Sequence, residues 1–161
     1  PSSIDTNIRL AKNILILFSV LLIFQIFYGA FVSGTHSGLT YNTWPFYDKK
    51  IIPENLNELT PAVMNFFENK IFILFLHRSM AFVLLGLIVF LNIKMLKVKI
   101  SKRSKILLLF LNLSFVLQVI LGIWMTYDNI PWHAALAHQG NSIIMFSITI
   151  YFLSQSLIKI K

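Results

Sequence analysis

Four long apolar stretches set the frame for this chain. They run from about Asn13 to Val32, Ile71 to Leu96, Ile106 to Tyr127, and Trp132 to Ile158. Roughly 20 apolar residues cross a bilayer as a helix. An open strand leaves its backbone polar groups unpaired in hydrocarbon. The predicted fold class is therefore an all-α membrane protein, a four-transmembrane-helix bundle made by residues 1–161 as one domain. Composition agrees: of 161 residues, 57% are hydrophobic and 12% charged, with a mean hydropathy of +0.74. That is too apolar for a soluble domain of this size. Each stretch is apolar nearly all round, so periodicity does not reveal which face is buried.

Charge orients the spans. A net charge of +8 would suggest nucleic acid in a soluble protein. Here most of it lies between apolar stretches, so the lipid bilayer is the expected partner and nucleic acid is not. The connection between spans two and three holds Lys94, Lys97, Lys99, Lys102, Arg103 and Lys105 and no acid. Arg9 and Lys12 flank span one, and Lys159 and Lys161 follow span four. The positive-inside rule puts these residues in the cytoplasm or matrix. The long loop 33–70 and the short connection at Asp128–Pro131 then face the outer side. The chain begins with Pro1, which predicts a fragment or a processed product. Its first apolar run is too long for a signal peptide and lacks a small-residue cleavage site.

There is no cysteine. That excludes thiolate haem ligation and iron–sulfur clusters and leaves histidine as the obvious metal ligand. His77 and His138 each lie inside a span, about two turns from its outer end. At 1.5 Å per residue both sit roughly 8–10 Å below the outer boundary. Intramembrane histidines are expensive and normally partnered. Two at one depth on two helices can supply both axial ligands to a haem in the bundle core. The plain alternative is a histidine bonded to a backbone carbonyl. His36 and His133 fall near the outer interface, where a solvated or loop-packing role is cheap. Arg78 is the one basic residue well inside a span. It suits either a haem propionate or an ion pair with Glu68 or Asp128.

Span one carries Gln25-Ile26-Phe27-Tyr28-Gly29, and span three carries Gln118-Val119-Ile120-Leu121-Gly122. Both read Gln-x-x-x-Gly on one helical face. The chain thus resolves into two pseudo-symmetric helical hairpins, each ending in a histidine-bearing helix. Gly29 and Gly122 would let a flat ring approach the backbone. Alternatively, they are small-residue helix contacts, with Gln25 and Gln118 bonding between helices.

The outer loop reads Gly34-Thr35-His36-Ser37-Gly38-Leu39-Thr40-Tyr41-Asn42-Thr43-Trp44-Pro45, followed by Ile52-Pro53-Glu54 and Asn65-Phe66-Phe67-Glu68-Asn69. With His77-Arg78, Leu117-Gln118-Val119-Ile120-Leu121-Gly122-Ile123 and Leu136-Ala137-His138-Gln139, this order resembles the C-terminal half of the haem A synthase family, in its alphaproteobacterial and mitochondrial branch. The resemblance covers nearly the whole chain. It implies an eight-helix enzyme of two four-helix halves that oxidises a methyl group of haem O to a formyl, giving haem A for cytochrome oxidase. It implies a b-type haem (iron protoporphyrin IX) in the C-terminal half, with His77 and His138 as axial ligands to iron. Tyr41, Asn42 and Trp44 would cap the haem edge; a structural turn fixed by Asn and Pro explains the same motif.

One departure stands out. The catalytic half of the family carries an acid three positions before its first ligand histidine, and here that position is Leu74. The resemblance therefore implies the cofactor half, with catalytic residues in an N-terminal half that would be its partner. Haem O synthase is a further candidate partner, and the electron donor is not named by the sequence. The expected location is a bacterial plasma membrane or the mitochondrial inner membrane. Two other readings use the same residues. One is a stand-alone bis-histidine b-type cytochrome for electron transfer. The other is a channel with a histidine proton relay, which the scarcity of ionisable groups in the inner half of each span disfavours.

Overall fold

The computed structural model describes residues 3–155 and is helical throughout its long elements. Four helices follow in order: α1 (Ser3–Gly34), α2 (Lys70–Leu96), α3 (Lys102–Tyr127) and α4 (Trp132–Ser154). Helix α1 extends ten residues before the apolar stretch predicted from Asn13, because Asp5 to Lys12 continue the helix as a polar turn and more. The tail of the fourth predicted span, 156–158, and Lys159 and Lys161 lie outside the described residues. Helices α1, α2 and α3 are long and apolar enough to cross a membrane by length and composition. Helix α4 has 23 residues, but His133, His138, Gln139, Asn141 and Ser142 dilute its first half. It lies along α3 as α2 lies along α1, and α1 also packs on α4.

Caps and short connections explain where the helices begin. The Asn69 side-chain oxygen accepts from the backbone N–H of Ile71 (3.0 Å) and Phe72 (3.2 Å), which have no partner within the helix. Its amide donates to Asn55 O (2.9 Å) and Asn65 Oδ1 (2.9 Å). Asn65, fully buried, is bonded in turn to Leu59 and Ala62. The Asn65–Asn69 run is thus a cap and a staple for the long loop. Ser101 caps α3 through Ser104 N (3.1 Å).

The apolar core sits in one half of the bundle. Ala11, Leu15, Phe18 and Leu22 of α1 meet Leu84, Leu91 and Met95 of α2, Leu111 and Phe115 of α3, and Met145 and Phe152 of α4. On α1 these positions recur at helical spacing. The opposite faces carry equally apolar side chains, such as Leu17, Val20, Phe24 and Phe27, which are exposed on the protein surface and face lipid. This packed half ends at the basic connection between α2 and α3. The other half ends at the long loop.

The long loop folds back over its own end of the bundle. Arg78 donates to Thr43 O (2.9 Å) and Tyr41 O (3.3 Å). Tyr127 at the end of α3 donates to Trp44 O (2.9 Å). Gly38 packs against Ile130 of the α3–α4 turn so closely that a Cβ there would lie 2.7 Å from Ile130 Cδ1. The loop is therefore tied to both hairpins.

Candidate functional site

His77 is seven residues into α2 and His138 six residues into α4. At 1.5 Å per residue that is about 10 Å and about 9 Å from the loop end of each helix. Helices α2 and α4 make almost no direct backbone contact, because α1 lies against both.

Each histidine is seated on the glycine that the sequence echo singles out. A Cβ on Gly29 would lie 3.4 Å from His77 Cε1 and 4.0 Å from its Nδ1. One on Gly122 would lie 3.4 Å from His138 Cε1 and 3.8 Å from its Nδ1. The flat ring that these glycines admit is the imidazole itself. The repetition at both sites, with nearly equal distances, makes the two hairpins structural counterparts at the level of single atoms.

The glutamines of the echo do bond between helices, and they do so differently. Gln25 donates its amide to His77 O (3.1 Å), and the same nitrogen lies 3.5 Å from His77 Nε2, too far for a good hydrogen bond. Gln118 Oε1 accepts from Asn141 Nδ2 (2.7 Å). Asn141 also donates to Ser114 O (2.8 Å) and accepts from Ser114 Oγ (3.0 Å). The sequence reading missed Asn141 and Ser114. The available signal was Asn141 at i+3 from His138, a polar residue on the same helical face within an apolar stretch.

Among the described residues, three buried side-chain polar atoms lack any hydrogen-bond partner: Gln25 Oε1, His77 Nδ1 and His138 Nδ1. All three belong to this site. A buried polar atom without a partner costs on the order of 1–3 kcal/mol, so their concentration here makes this the candidate site. No group of three or more His, Cys, Asp or Glu gathers among the described residues, which leaves the histidine pair as the donor set. Two imidazoles with nitrogen lone pairs to spare fit the axial positions of a haem iron.

The remaining candidate residues frame the loop side. Arg78, only 8% exposed, makes no ion pair with Glu68 or Asp128; the one ion pair among the described residues joins Lys50 and Glu54. The guanidinium instead lies 5.0 Å from the centre of the Tyr47 ring. Burial raises the Tyr47 hydroxyl pKa above its ordinary value, and Arg78 opposes that rise. Tyr41 packs edge-on to Tyr47 (5.3 Å) and Trp44 stacks on Phe82 (6.2 Å), while Asn42 is exposed. The Tyr41–Trp44 motif is thus an irregular segment whose carbonyls hold Arg78 and Tyr127. His36 and His133 are both exposed, the latter against Trp124 and Trp132. Leu74, one turn before His77, is buried and brings no carboxylate.

The fold and the site together define an integral membrane helix bundle with a matched pair of histidines inside it. The chain belongs to the COX15-CtaA family of cytochrome oxidase assembly proteins, whose family model matches residues 3–150. It is 40% identical over 134 residues to the heme A synthase of Wolbachia pipientis wMel, covering 83% of this chain and 36% of that protein. It is 34% identical over 132 residues to the heme A synthase of Rhizobium rhizogenes, covering 80% of this chain and 35% of that protein. The chain therefore spans little more than a third of the length of the curated relatives it matches. No solved structure matches it.

Proposed function

We propose that this chain is the haem-holding C-terminal part of a haem A synthase, which oxidises a methyl group of haem O to a formyl. His77 and His138 would be the axial ligands of a b-type haem. The observation that carries this reading is the pair of buried, unpartnered Nδ1 atoms on histidines at matched depth. When bound, the haem supplies the redox chemistry. The chain's own residues do the rest. Gly29 and Gly122 give the two imidazoles room against the backbone. Gln25 and the Gln118–Asn141–Ser114 network fix the helices that carry them. Arg78 spends two donors on loop carbonyls and has others free for a propionate.

The lack of an acid at Leu74 supports a cofactor-holding role, with catalysis in a partner half. The basic α2–α3 connection supports an inner location for that end, with the histidines toward the outer face. The test is chemical. The protein purified from haem-replete cells should yield b-type haem as a pyridine haemochrome. Paired with the N-terminal half of a related synthase, it should restore conversion of haem O to haem A. Absence of bound haem would overturn the site. Bound haem without any haem A formation in the paired protein would instead favour a stand-alone b-type cytochrome.

A further inference from the structure

The basic end of the bundle holds a groove that the haem reading does not use. It lies between the last turns of α2 and the first turns of α3, with a volume of about 410 Å³. Its wall is mainly aliphatic, and Leu96 at its edge is 86% exposed. Three polar side chains also line it: Lys105, Asn92 and Asn112. Lys105, Leu108, Leu109 and Asn112 recur at i, i+3, i+4 and i+7, so they form one face of α3. Asn112 lies about 10 Å along the axis from Lys105, deeper in the bundle. The amides of Asn92 and Asn112 bond to each other in both directions (2.9 and 3.0 Å). Asn92 commits its second amide proton to Ile88 O (2.8 Å), whereas Asn112 keeps one uncommitted.

We propose that this groove binds one anionic glycerophospholipid. Its phosphate sits at Lys105, its ester linkage within reach of Asn112, and one acyl chain along the aliphatic wall. The order of groups matches: a cation at the mouth, an amide donor deeper in, and hydrocarbon beside both. The charge selects the lipid. The groove opens at the segment 94–105, which carries six cations and no acid. A zwitterionic headgroup would bring its own cation against that cluster, while an anionic one gains from every nearby lysine. This proposal does not depend on the haem.

Native mass spectrometry of the protein purified from membranes, delipidated and titrated with dioleoyl phosphatidylglycerol or dioleoyl phosphatidylcholine, tests it. One well-placed lysine at a membrane surface is worth roughly a fivefold preference. The unmodified protein should retain phosphatidylglycerol over phosphatidylcholine by at least that factor, and Lys105→Gln should reduce the preference by about that factor. Lys105→Arg keeps the charge and should keep the preference. Lys12→Gln removes the same charge from an exposed position on α1, at the same end of the bundle, and should also keep it. Equal retention of both lipids by the unmodified protein overturns the proposal. So does an undiminished preference in Lys105→Gln, or an equal loss in Lys12→Gln.

Discussion

The two ends of the bundle solve the problem of polar groups in a membrane in opposite ways. In the basic half, buried hydroxyls return to their own helices: Ser19 donates to Leu15 O (2.8 Å) and Thr149 to Met145 O (2.7 Å). The core between helices is left to Leu15, Phe18, Leu91, Met145 and Phe152, and the Asn92–Asn112 amide pair crosses only between α2 and α3, beside the groove. In the loop half the polar groups reach across. Arg78 bonds the long loop, Gln25 bonds α2, and Asn141 bonds α3. There the buried unpartnered atoms also collect. One half holds the helices together, and the other carries the site proposed for the haem. A membrane bundle gains little from the hydrophobic effect between helices, so close packing in one half carries much of the association energy.

The sharpest way to break this division is to damage the packed half. Phe18 is 1% exposed and contacts Phe115 (6.4 Å between ring centres). Phe18→Ala should cost about 3 kcal/mol, seen as a lower thermal midpoint of the purified protein, with haem lost only as the bundle unfolds. If it instead released haem without lowering the midpoint, the two halves would not be separable. Next in size is Arg78→Leu. It strands the carbonyls of Tyr41 and Thr43 and should cost roughly 2 kcal/mol. Limited proteolysis should then cut the long loop faster while the helices stay intact; an unchanged cleavage rate would remove Arg78 as the clasp. The smallest effect is at Gly29. Alanine there places its methyl 3.4 Å from His77 Cε1, an ordinary contact, and should leave the haem spectrum unchanged. Leucine has no such room and should displace the ring.

Sequence reasoning reached the four helices because their length and apolarity are one-dimensional properties. It singled out His77 and His138 because a titratable ring in an apolar stretch stands out, and counting residues gives depth. Helix α4 was readable as a helix, but the polar residues in its first half leave it outside the three helices apolar enough to cross a membrane. The buried face of each helix was not readable. Phe18 is buried and Leu17 exposed, yet both are apolar, since lipid demands on one side what packing demands on the other. Nor did the sequence show what the echo does. Gln-x-x-x-Gly suggested a flat ring against the backbone, and only the fold shows the ring to be each hairpin's own histidine. Arg78 was legible as a buried cation. Its partners were not, because the loop carbonyls it bonds lie 35 and 37 residues away in sequence.

The central claim is that two of the four histidines hold a haem and two do not. The direct measurement is the visible absorption spectrum and haem content of the haem-loaded protein in four single variants. His77→Ala and His138→Ala should each lose the low-spin bis-histidine spectrum, while His36→Ala and His133→Ala should keep it with full haem content. Retention of the spectrum without His77 or His138, or its loss without His36 or His133, would contradict the account.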